Sequence, residues 1–370
     1  MRFPEFTEEW KAEQLDNIAT LSKGIGISKE QLSEDGEPCI LYGELYTKYK
    51  SEIIKQVESK TDINGSKLKR SKANDVIIPC SGETAVDIAT ARCVPFDNIL
   101  FGGDLNVISL HQYDGAFMSY QLNGKRKYDI ARVAQGVSIV HLYGEHLKAI
   151  KTYNPTLPEQ QKIAKLLSLL DDRIDTQNKI IEDLKKLKSA ISERLFKSVK
   201  GFTVLLSDLC DIVKGKQING ENLSDSGNYY VMNGGTEPSG YYDNYNVEAS
   251  TISISEGGNS CGYVQFNTSP FWSGGHCYSI QNIADKVDNM YLYHYLKSNE
   301  DAIMKLRIGS GLPNIQKKDL AMFKIIVPKI EWQIKISTFL SSLERKAEIE
   351  ERIQNVMQKQ KLYLLQQMFI

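Results

Sequence analysis

The sequence carries the same pattern twice, and this internal repeat constrains the architecture more than any other feature of the chain. At an offset of 191 residues, the segment that begins at Leu15 aligns with the segment that begins at Leu206. Towards the end of each copy the offset is 173 residues, with Leu147 on Leu320, Pro155 on Pro328, Gln160 on Gln333, Ile163 on Ile336 and Leu167 on Leu340. Two copies of one structural unit therefore account for nearly the whole chain.

Within each copy, sequence patterns typical of strands and of helices follow one another in the same order. Short β-branched runs separated by Gly, Asn, Ser and Asp come first and predict strands. A shorter helix is expected around 117–122 in the first copy and 291–304 in the second. Each copy then closes, after Pro158 or Pro328, with a stretch of about 40 residues that lacks Pro and Gly and predicts a long helix.

The predicted fold class is α+β, with two tandem strand-rich domains that are each followed by a long α-helix. The expected boundaries are 1–154 for the first domain, 155–198 for its helix, 199–327 for the second domain and 328–370 for its helix.

The apolar residues of both long helices recur at heptad spacing, which predicts a partner helix. The predicted seam residues are Ile163, Leu167, Leu170, Ile174, Ile181, Leu184, Ile191 and Leu195 in the first helix, and Ile336, Leu340, Leu343, Met357 and Leu364 in the second. Mutual pairing as an antiparallel coiled coil, about 60 Å long, would hold the two domains apart. Glu350, Gln354 and Lys361 depart from the second seam, which is therefore weaker or drifts to Ile349, Ile353 and Val356.

Composition and motifs exclude several classes of protein. The net charge of −1 argues against indiscriminate coating of nucleic acid but permits local basic patches. The 6 cysteines include no C-x-x-C pair, which favours reduced thiols in a cytoplasm, and neither a membrane segment, a metal-ligand spacing nor a phosphate-binding loop is found. Residues 258–262 match G-x-S-x-G, but a strand pattern follows them, so a hairpin loop is expected there and not a hydrolase elbow.

Cations, amides and hydroxyl groups near glycine-rich loops are the candidate DNA-binding residues. They are Lys67, Lys69, Arg70, Lys72, Lys125, Arg126 and Lys127 in the first copy, and Lys214, Lys216, Tyr241, Tyr245, Asn246, Lys305, Arg307 and Ser310 in the second. Such clusters are also found on solvated surfaces, and tyrosines at strand edges often pack half-buried, so both interpretations stay open at this point.

A resemblance to a known family covers essentially the whole chain. The entry to the first long helix reads PTLPEQQKI (155–163), the entry to the second reads PKIEWQIKI (328–336), and a loop reads GSGLPNI (309–315). Together with the tandem strand-rich units, these segments resemble the specificity subunits of type I restriction-modification systems.

The resemblance implies a non-catalytic DNA-recognition subunit with two target-recognition domains, each reading one half of a bipartite site. The helices would set the gap and dock the methyltransferase subunits. The implied partners are double-stranded DNA, two modification subunits that use S-adenosylmethionine, and restriction subunits that use ATP and Mg²⁺. No cofactor or metal is expected in this chain. A two-lobed coiled-coil scaffold that binds proteins without DNA specificity is the alternative.

Overall fold

The computed structural model describes residues 2–64, 67–309, 311 and 313–370, and these residues form two compact units. Unit 1 contains the described residues up to Lys179 together with Arg352–Ile370, and unit 2 contains Ile180–Glu351. Each unit therefore includes one strand-rich domain and a part of both long helices.

Unit 1 is built from short strands around a central sheet. Its strands are β1 Lys11–Gln14, β2 Ala19–Lys23, β3 Glu37–Ile40, β4 Lys60–Thr61, β5 Lys69–Arg70, β6 Asp75–Pro79, β7 Ser81–Gly82, β8 Arg92–Val94, β9 Leu100–Phe101, β10 Leu105–Leu110, β11 Val140–His141 and β12 Lys151–Asn154. Its helices are α1 Leu15–Ile18, α2 Glu44–Thr47, α3 Ala85–Ile88, α4 Gly115–Asn123, α5 Lys127–Val133, α6 Gly144–Lys148 and the first part of α7 Leu157–Ser198, and Lys29–Gln31 form a 3₁₀ turn.

Unit 2 repeats this arrangement with different loop lengths. Its strands are β13 Phe202–Leu205, β14 Asp211–Lys214, β15 Tyr229–Met232, β16 Tyr241–Tyr242, β17 Thr251–Ser255, β18 Val264–Asn267, β19 Trp272–Ser273, β20 Cys277–Gln281 and β21 Lys324–Val327. Its helices are α8 Asn289–Ser298, α9 Glu300–Met304, α10 Lys317–Ala321 and the first part of α11 Ile330–Gln367, and the 3₁₀ turns are Leu206–Asp208 and Gly220–Asn222.

The sheet order confirms the repeat. The central antiparallel sheet has the order β2-β10-β6-β8 in unit 1 and β14-β20-β17-β18 in unit 2. In both units a parallel pair, β3 with β9 or β15 with β19, lies in a second sheet, and the first and last strands of the domain pair with each other. The central sheet of unit 1 is buried on both faces, with Val76 and Ile108 in one core and Ile77 and Val107 in another. In unit 2, Ile252 and Ile280 of the central sheet belong to the main core.

Two local predictions concern the second copy. Residues 258–262 connect the antiparallel pair β17 and β18, as expected for a hairpin loop. The helix expected over 291–304 is divided into α8 and α9 at Asn299, whose side-chain amide donates to the carbonyl of Tyr295. A side chain that bonds the preceding turn competes with regular helical pairing, which accounts for the break.

A repeated glutamine fixes the start of each long helix. The side-chain oxygen of Gln160 accepts a 2.9 Å hydrogen bond from the backbone N–H of Asp114, and Gln333 accepts the same bond from Asp288. Each amide nitrogen donates to the carbonyl of the proline five residues earlier, at 2.8 Å and 2.9 Å. Since Asp114 and Asp288 are the N-caps of α4 and α8, each glutamine joins a long helix to the shorter helix of its domain.

The two long helices run antiparallel where they touch within each unit. In unit 1, Asp171 pairs with Lys361 at 2.6 Å, and seven residues further along α7 Asn178 accepts from the amide of Gln354. In unit 2, Lys185 pairs with Glu351 at 2.6 Å and Lys188 with Glu344 at 2.6 Å. Advancing along α7 therefore means receding along α11, which is the predicted sense of pairing.

The predicted seam residues of both helices are buried or half-buried. The seam of α11 does not drift, because Ile349, Ile353 and Val356 are exposed at 47%, 39% and 55%. The polar residues Glu350, Gln354 and Lys361 occupy half-buried positions on the seam instead.

Lys361 belongs to a buried polar cluster in unit 1. Its ammonium contacts Asp171 at 2.6 Å and Glu52 at 2.5 Å, and the Tyr120 hydroxyl donates to Asp171 at 2.7 Å. Burial and repulsion from Glu52 raise the pKa of Asp171 to about 6 in spite of the nearby ammonium. The cluster thus stabilises the contact between α11 and the first domain through the two ion pairs of Lys361, and the buried guanidinium of Arg92 also interacts electrostatically with both carboxylates.

The same cluster recurs in unit 2 at an offset of 173 residues. Tyr293 donates to Glu344 at 3.0 Å, and Lys188 donates to the same carboxylate at 2.6 Å. In both units the lysine comes from one long helix and the carboxylate from the other, so the polar pair helps to fix the antiparallel register.

Candidate nucleic-acid interface

One end of the central sheet in unit 1 carries a set of loops that we call loop surface 1, residues 23–26, 80–83, 102–104 and 135–141. The backbone N–H of Gly24 donates to Leu105 at 2.8 Å, that of Cys80 to Asp104 at 2.7 Å, and that of Leu142 to Cys80 at 2.8 Å. Strands β7 and β11 pair across the same loops. These bonds hold four separate segments of the chain at this end of the sheet. They lie beside a cleft of about 1040 Å³ that Ser81 and Ile139 help to line.

Unit 2 presents the corresponding loop surface 2, the described residues of 214–217, 256–262, 274–276 and 307–314. The N–H of Gly215 donates to Cys277 at 2.8 Å, that of Glu256 to His276 at 2.9 Å, and that of Ile315 to Glu256 at 2.8 Å. Gly257 forms a bridge with Asn314. Each bond has a counterpart in unit 1, so the two loop surfaces share one backbone scaffold.

The close approach of two loops in this scaffold requires glycine. A Cβ on Gly24 would overlap the carbonyl oxygen of Gly102, and a Cβ on Gly215 would overlap that of Gly274. The repeated Lys-Gly pair is therefore explained by packing: the glycine permits the approach and the preceding lysine is displayed at its edge.

The side chains on the shared scaffold differ between the units. In loop surface 1, Lys23 lies 3.7 Å from Asp104. In loop surface 2, Lys214 lies 2.6 Å from Glu256, whose other oxygen faces His276 at 3.7 Å. Burial, and then the negative charge of Glu256, raise the pKa of Tyr278, whose hydroxyl lies 3.0 Å from that carboxylate. One scaffold with two chemistries is suited to recognising two different targets.

The predicted basic run at 67–72 is divided by the fold. Lys69 lies opposite Phe101, at the edge of loop surface 1. Arg70 is engaged by Glu37 through two hydrogen bonds of 2.6 Å and 3.0 Å. Lys67 and Lys72 are exposed.

The predicted basic turn Lys125, Arg126 and Lys127 packs near the end of α11. Arg126 donates to the carbonyl of Ile370 at 3.1 Å, pairs with Asp129 at 3.1 Å and lies over the Tyr153 ring at 5.3 Å. Its guanidinium is thus engaged inside unit 1, whereas Lys125 and Lys127 flank it.

Two predicted residues of unit 2 contact β19, the short strand that precedes loop 274–276. The Asn246 amide makes two hydrogen bonds with the backbone of Ser273, at 3.1 Å and 2.6 Å, and the carbonyl of Lys216 accepts from the Trp272 indole at 2.9 Å. Asn246 therefore supports loop surface 2, and Lys216 lies within it.

The two predicted tyrosines of unit 2 lie on neighbouring strands and loops. Tyr241 pairs with Tyr230 across β15 and β16. The Tyr245 ring lies 4.9 Å from that of Tyr229, and its hydroxyl bonds Glu248 at 3.3 Å. The interpretation of half-buried strand-edge packing fits Tyr241, and Tyr245 remains more exposed.

The last predicted group leads into the 307–314 hairpin. Lys305 is exposed at the edge of a groove beside α7, and Arg307 is exposed at the start of the hairpin. Ser310 lies outside the described residues. The hairpin packs on the 256–262 loop through a 3.0 Å bond from the Gly258 N–H to the carbonyl of Pro313.

Sequence reasoning did not single out Lys23, Asp104, Glu256 and His276. Lys23 was visible as the partner of Lys214 in the repeat. Asp104 and Glu256 are remote in sequence from the lysines they face, and His276 is remote from the Glu256 carboxylate, so only the strand pairing could bring them to the site.

Among the residues that the structure describes, no group of three or more His, Cys, Asp or Glu side chains is placed to hold a metal ion, and all six cysteines are buried free thiols. Within the same residues, no helix combines the length and apolar character needed to cross a membrane.

The fold is thus a tandem arrangement of two strand-rich units that display different side chains on one loop scaffold. Comparison with known families makes this specific, because the model of the type I restriction modification DNA specificity domain matches residues 7–186 and 201–359. The chain belongs to this family.

Individual relatives agree with this assignment. A putative type I specificity subunit of Mycoplasma genitalium is 34% identical over 122 residues, which span 32% of this chain and 31% of that protein. A type I restriction enzyme specificity subunit of Methanocaldococcus jannaschii is 24% identical, with 96% of this chain and 90% of the relative covered. The crystal structure of a type I system S subunit from M. genitalium shares the fold, with a TM-score of 0.70, 19% identity, and coverage of 100% of this chain and 97% of that one.

Proposed function

We propose that this chain is the sequence-specific DNA-recognition subunit of a type I restriction-modification complex. Loop surface 1 reads one half of a bipartite site, and loop surface 2 reads the other. The observation that carries the proposal is the shared backbone scaffold with different side chains, because an asymmetric target requires two readers of one geometry and unequal chemistry. The match to the DNA specificity domain in both copies supports it.

The charges of loop surface 2 are consistent with contacts to phosphate and base edges. Lys216 and Arg307 are exposed there, Lys305 precedes the hairpin, and Lys214 is half-exposed beside Glu256. With a net charge of −1 for the whole chain, such contacts must be local.

The long helices carry the second part of the proposal: as an antiparallel coiled coil they set the gap between the half-sites and dock the methyltransferase subunits. Exposed apolar side chains recur on them at an offset of 173 residues: Leu157 with Ile330, Leu166 with Phe339 and Ile180 with Ile353. Solvent-exposed apolar residues at equivalent positions are suited to two copies of one partner.

The chain itself acts as a non-catalytic targeting subunit in this proposal. Two modification subunits supply the methyl transfer from S-adenosylmethionine, and restriction subunits supply the ATP- and Mg²⁺-dependent steps. The observation in support is that both copies of the chain match a specificity domain.

Salt dependence tests the DNA-binding assignment directly. Each phosphate contact contributes about 0.9 to the slope of log affinity against log salt, so the double variant Lys305→Ala and Arg307→Ala should bind less tightly and lower the slope by up to about two units. The measurement is a titration of the full chain, over a series of salt concentrations, on duplexes enriched from a random-sequence library.

The double variant Lys346→Ala and Lys359→Ala removes the same charge from exposed positions on α11 and should leave the slope unchanged. An unchanged slope and affinity for the Lys305 and Arg307 variant would remove these residues from the interface. Binding of wild type that is insensitive to salt would favour the protein-binding scaffold.

Inserting one heptad into each long helix tests the gap. Asn178 contacts Gln354 and Lys185 contacts Glu351, so insertions after Lys179 and after Glu351 lie at nearly matching levels. Seven residues add about 10.5 Å, or about three base pairs, and preserve the heptad pattern.

We expect the recognised gap to lengthen by about three base pairs, as measured on duplexes that differ only in spacer length. Three added base pairs also rotate the second half-site by about 100° around the duplex. If the coiled coil does not twist to compensate, bipartite binding is lost while the chain stays folded, which equally shows that the helices set the gap. Wild-type affinity at the original gap would show that the helices do not set it.

A further inference from the structure

His276 projects from loop surface 2 beside Gly234 and Gly257. Its side chain is 62% exposed. A Cβ on Gly234 would lie 3.1 Å from the His276 Cβ, and a Cβ on Gly257 would lie 3.9 Å from its Nδ1. Because these two neighbours lack side chains, they leave space beside the ring.

The backbone of His276 is held on both sides. Its N–H donates to the side-chain oxygen of Asn233 at 3.1 Å, and its carbonyl accepts from the N–H of Glu256 at 2.9 Å. A side chain on a fixed backbone loses little further freedom on binding, which suits a specificity contact.

Glu256 faces the His276 ring with a carboxylate oxygen that lacks a hydrogen bond. The residue is only 8% exposed, and its Oε1 is engaged by Lys214 and Tyr278. Its Oε2 is buried without a hydrogen-bond partner among the described residues and lies 3.7 Å from Nδ1 of His276. Leaving such an oxygen unsatisfied is unfavourable, so the arrangement favours the ring form with its proton on Nδ1, directed at Glu256.

We propose that His276 is a base-reading side chain of loop surface 2 and that Glu256 is the residue that positions it. With the ring proton on Nδ1, Nε2 of this exposed ring is a hydrogen-bond acceptor. Its complement in the major groove is an exocyclic amino group, N6 of adenine or N4 of cytosine. This inference rests on the proposed function and names one contact of that function.

Unit 1 places a different acceptor at the corresponding point of the scaffold. The carbonyl of Asp104 accepts from Cys80 as that of His276 accepts from Glu256, and the Asp104 side chain faces Lys23. The two readers therefore differ at this position, as a pair that distinguishes two half-sites requires.

The test is selection of duplexes from a random-sequence library by the full-length chain, alone and with co-expressed modification subunits. Wild type should select a bipartite consensus, and His276→Ala should relax the preference at one position of one half-site while the other half-site stays unchanged. Glu256→Gln should relax the same position, because it keeps the size of the side chain and removes the charge that faces Nδ1 of His276.

A chemical cycle then identifies the contacted group. Replacing the adenine at that position by purine, or the cytosine by 2-pyrimidinone, removes only the amino group. This change should weaken binding of wild type about 3- to 10-fold, the size of one hydrogen bond, and should not weaken binding of His276→Ala further.

His111→Ala is the matched control. This exposed histidine of unit 1 follows β10, whose opposite end adjoins Asp104, and it bonds Thr20 at 2.9 Å. It should select the wild-type consensus. If wild type selects no consensus, the proposed function fails; if wild type selects one and His276→Ala selects the same one, only the inference about His276 is overturned.

Discussion

Replacing Gly24 by alanine is expected to abolish recognition of one half-site while the other half-site is still read. The added Cβ would overlap the carbonyl oxygen of Gly102 and lie 3.1 Å from the carbonyl of Phe101. Backbone atoms cannot rotate away as a side chain can, so the strain of about 1–3 kcal/mol is relieved by displacing loop surface 1.

Specific binding exceeds non-specific binding by at least about a thousandfold, so loss of one reader should lower affinity by about two orders of magnitude or more. The measurement is affinity for the selected bipartite duplex, together with the consensus that the variant itself selects.

Gly144, which lies in unit 1 but outside loop surface 1, provides the control. Within 4 Å, a Cβ there meets only the side-chain oxygen of Asn106, at an ordinary contact distance of 3.5 Å, and neither Gly24 nor Gly144 is among the glycines with positive φ, so Gly144→Ala should behave as wild type. If Gly24→Ala bound the full site normally, or if it lost both half-sites while still folded, loop surface 1 would not be an independent reader.

Replacing Lys361 by methionine is expected to destabilise unit 1 by about 3–5 kcal/mol, because it removes the cation that directly contacts the buried carboxylates of Glu52 and Asp171. The side chains of Lys361, Asp171 and Glu52 are only 16%, 4% and 8% exposed. The equivalent Lys188→Met in unit 2 leaves a single carboxylate that is 28% exposed, so a smaller loss of about 1–2 kcal/mol is expected there.

Urea unfolding followed by the fluorescence of Trp10 measures this effect in unit 1. Trp10 packs against Phe117 and Phe369, and a background of Trp272→Phe and Trp332→Phe leaves it as the one tryptophan of the 3. Lys361→Arg, which keeps the charge, should recover part of the loss. Equal unfolding midpoints for Lys361→Met and wild type would show that the cluster does not hold α11 to unit 1.

The destabilisation should grow with pH. In wild type the pKa of Asp171 is already raised to about 6, so the folded state binds more protons than the unfolded state between about pH 4 and pH 6, and stability falls as pH rises through that window. Removing Lys361 raises the pKa of Asp171 further and extends the window upwards. The difference between variant and wild type should therefore be larger at pH 8 than at pH 5.

The sequence alone predicted the frame of this protein. The offset of the repeat placed residues 74–82 over 250–258, and the structure has the equivalent central strands β6 and β17 at those positions. The absence of Pro and Gly predicted the long helices, which extend over Leu157–Ser198 and Ile330–Gln367. These features depend on neighbouring residues or on a fixed spacing, so the order of residues along the chain is enough to predict them.

The partners of charged groups could not be read in this way. Lys361 interrupts the heptad pattern and looked like a weakness of the seam, yet it is the cation of a buried cluster whose carboxylates are 190 and 309 residues away. Arg70 and Arg126 looked like free cations, and both are engaged inside unit 1.

Two similar strand-rich domains and two long helices follow from the sequence alone, because repetition, β-branched runs and the absence of helix breakers act locally. Which side chains share a site depends on the tertiary fold. Lys214, Glu256 and His276 come from three separate segments, and the pairing of β14, β17 and β20 brings them to one edge of a sheet. Strand pairing is a long-range choice governed by burial and hydrogen bonding, so no spacing in the sequence records it.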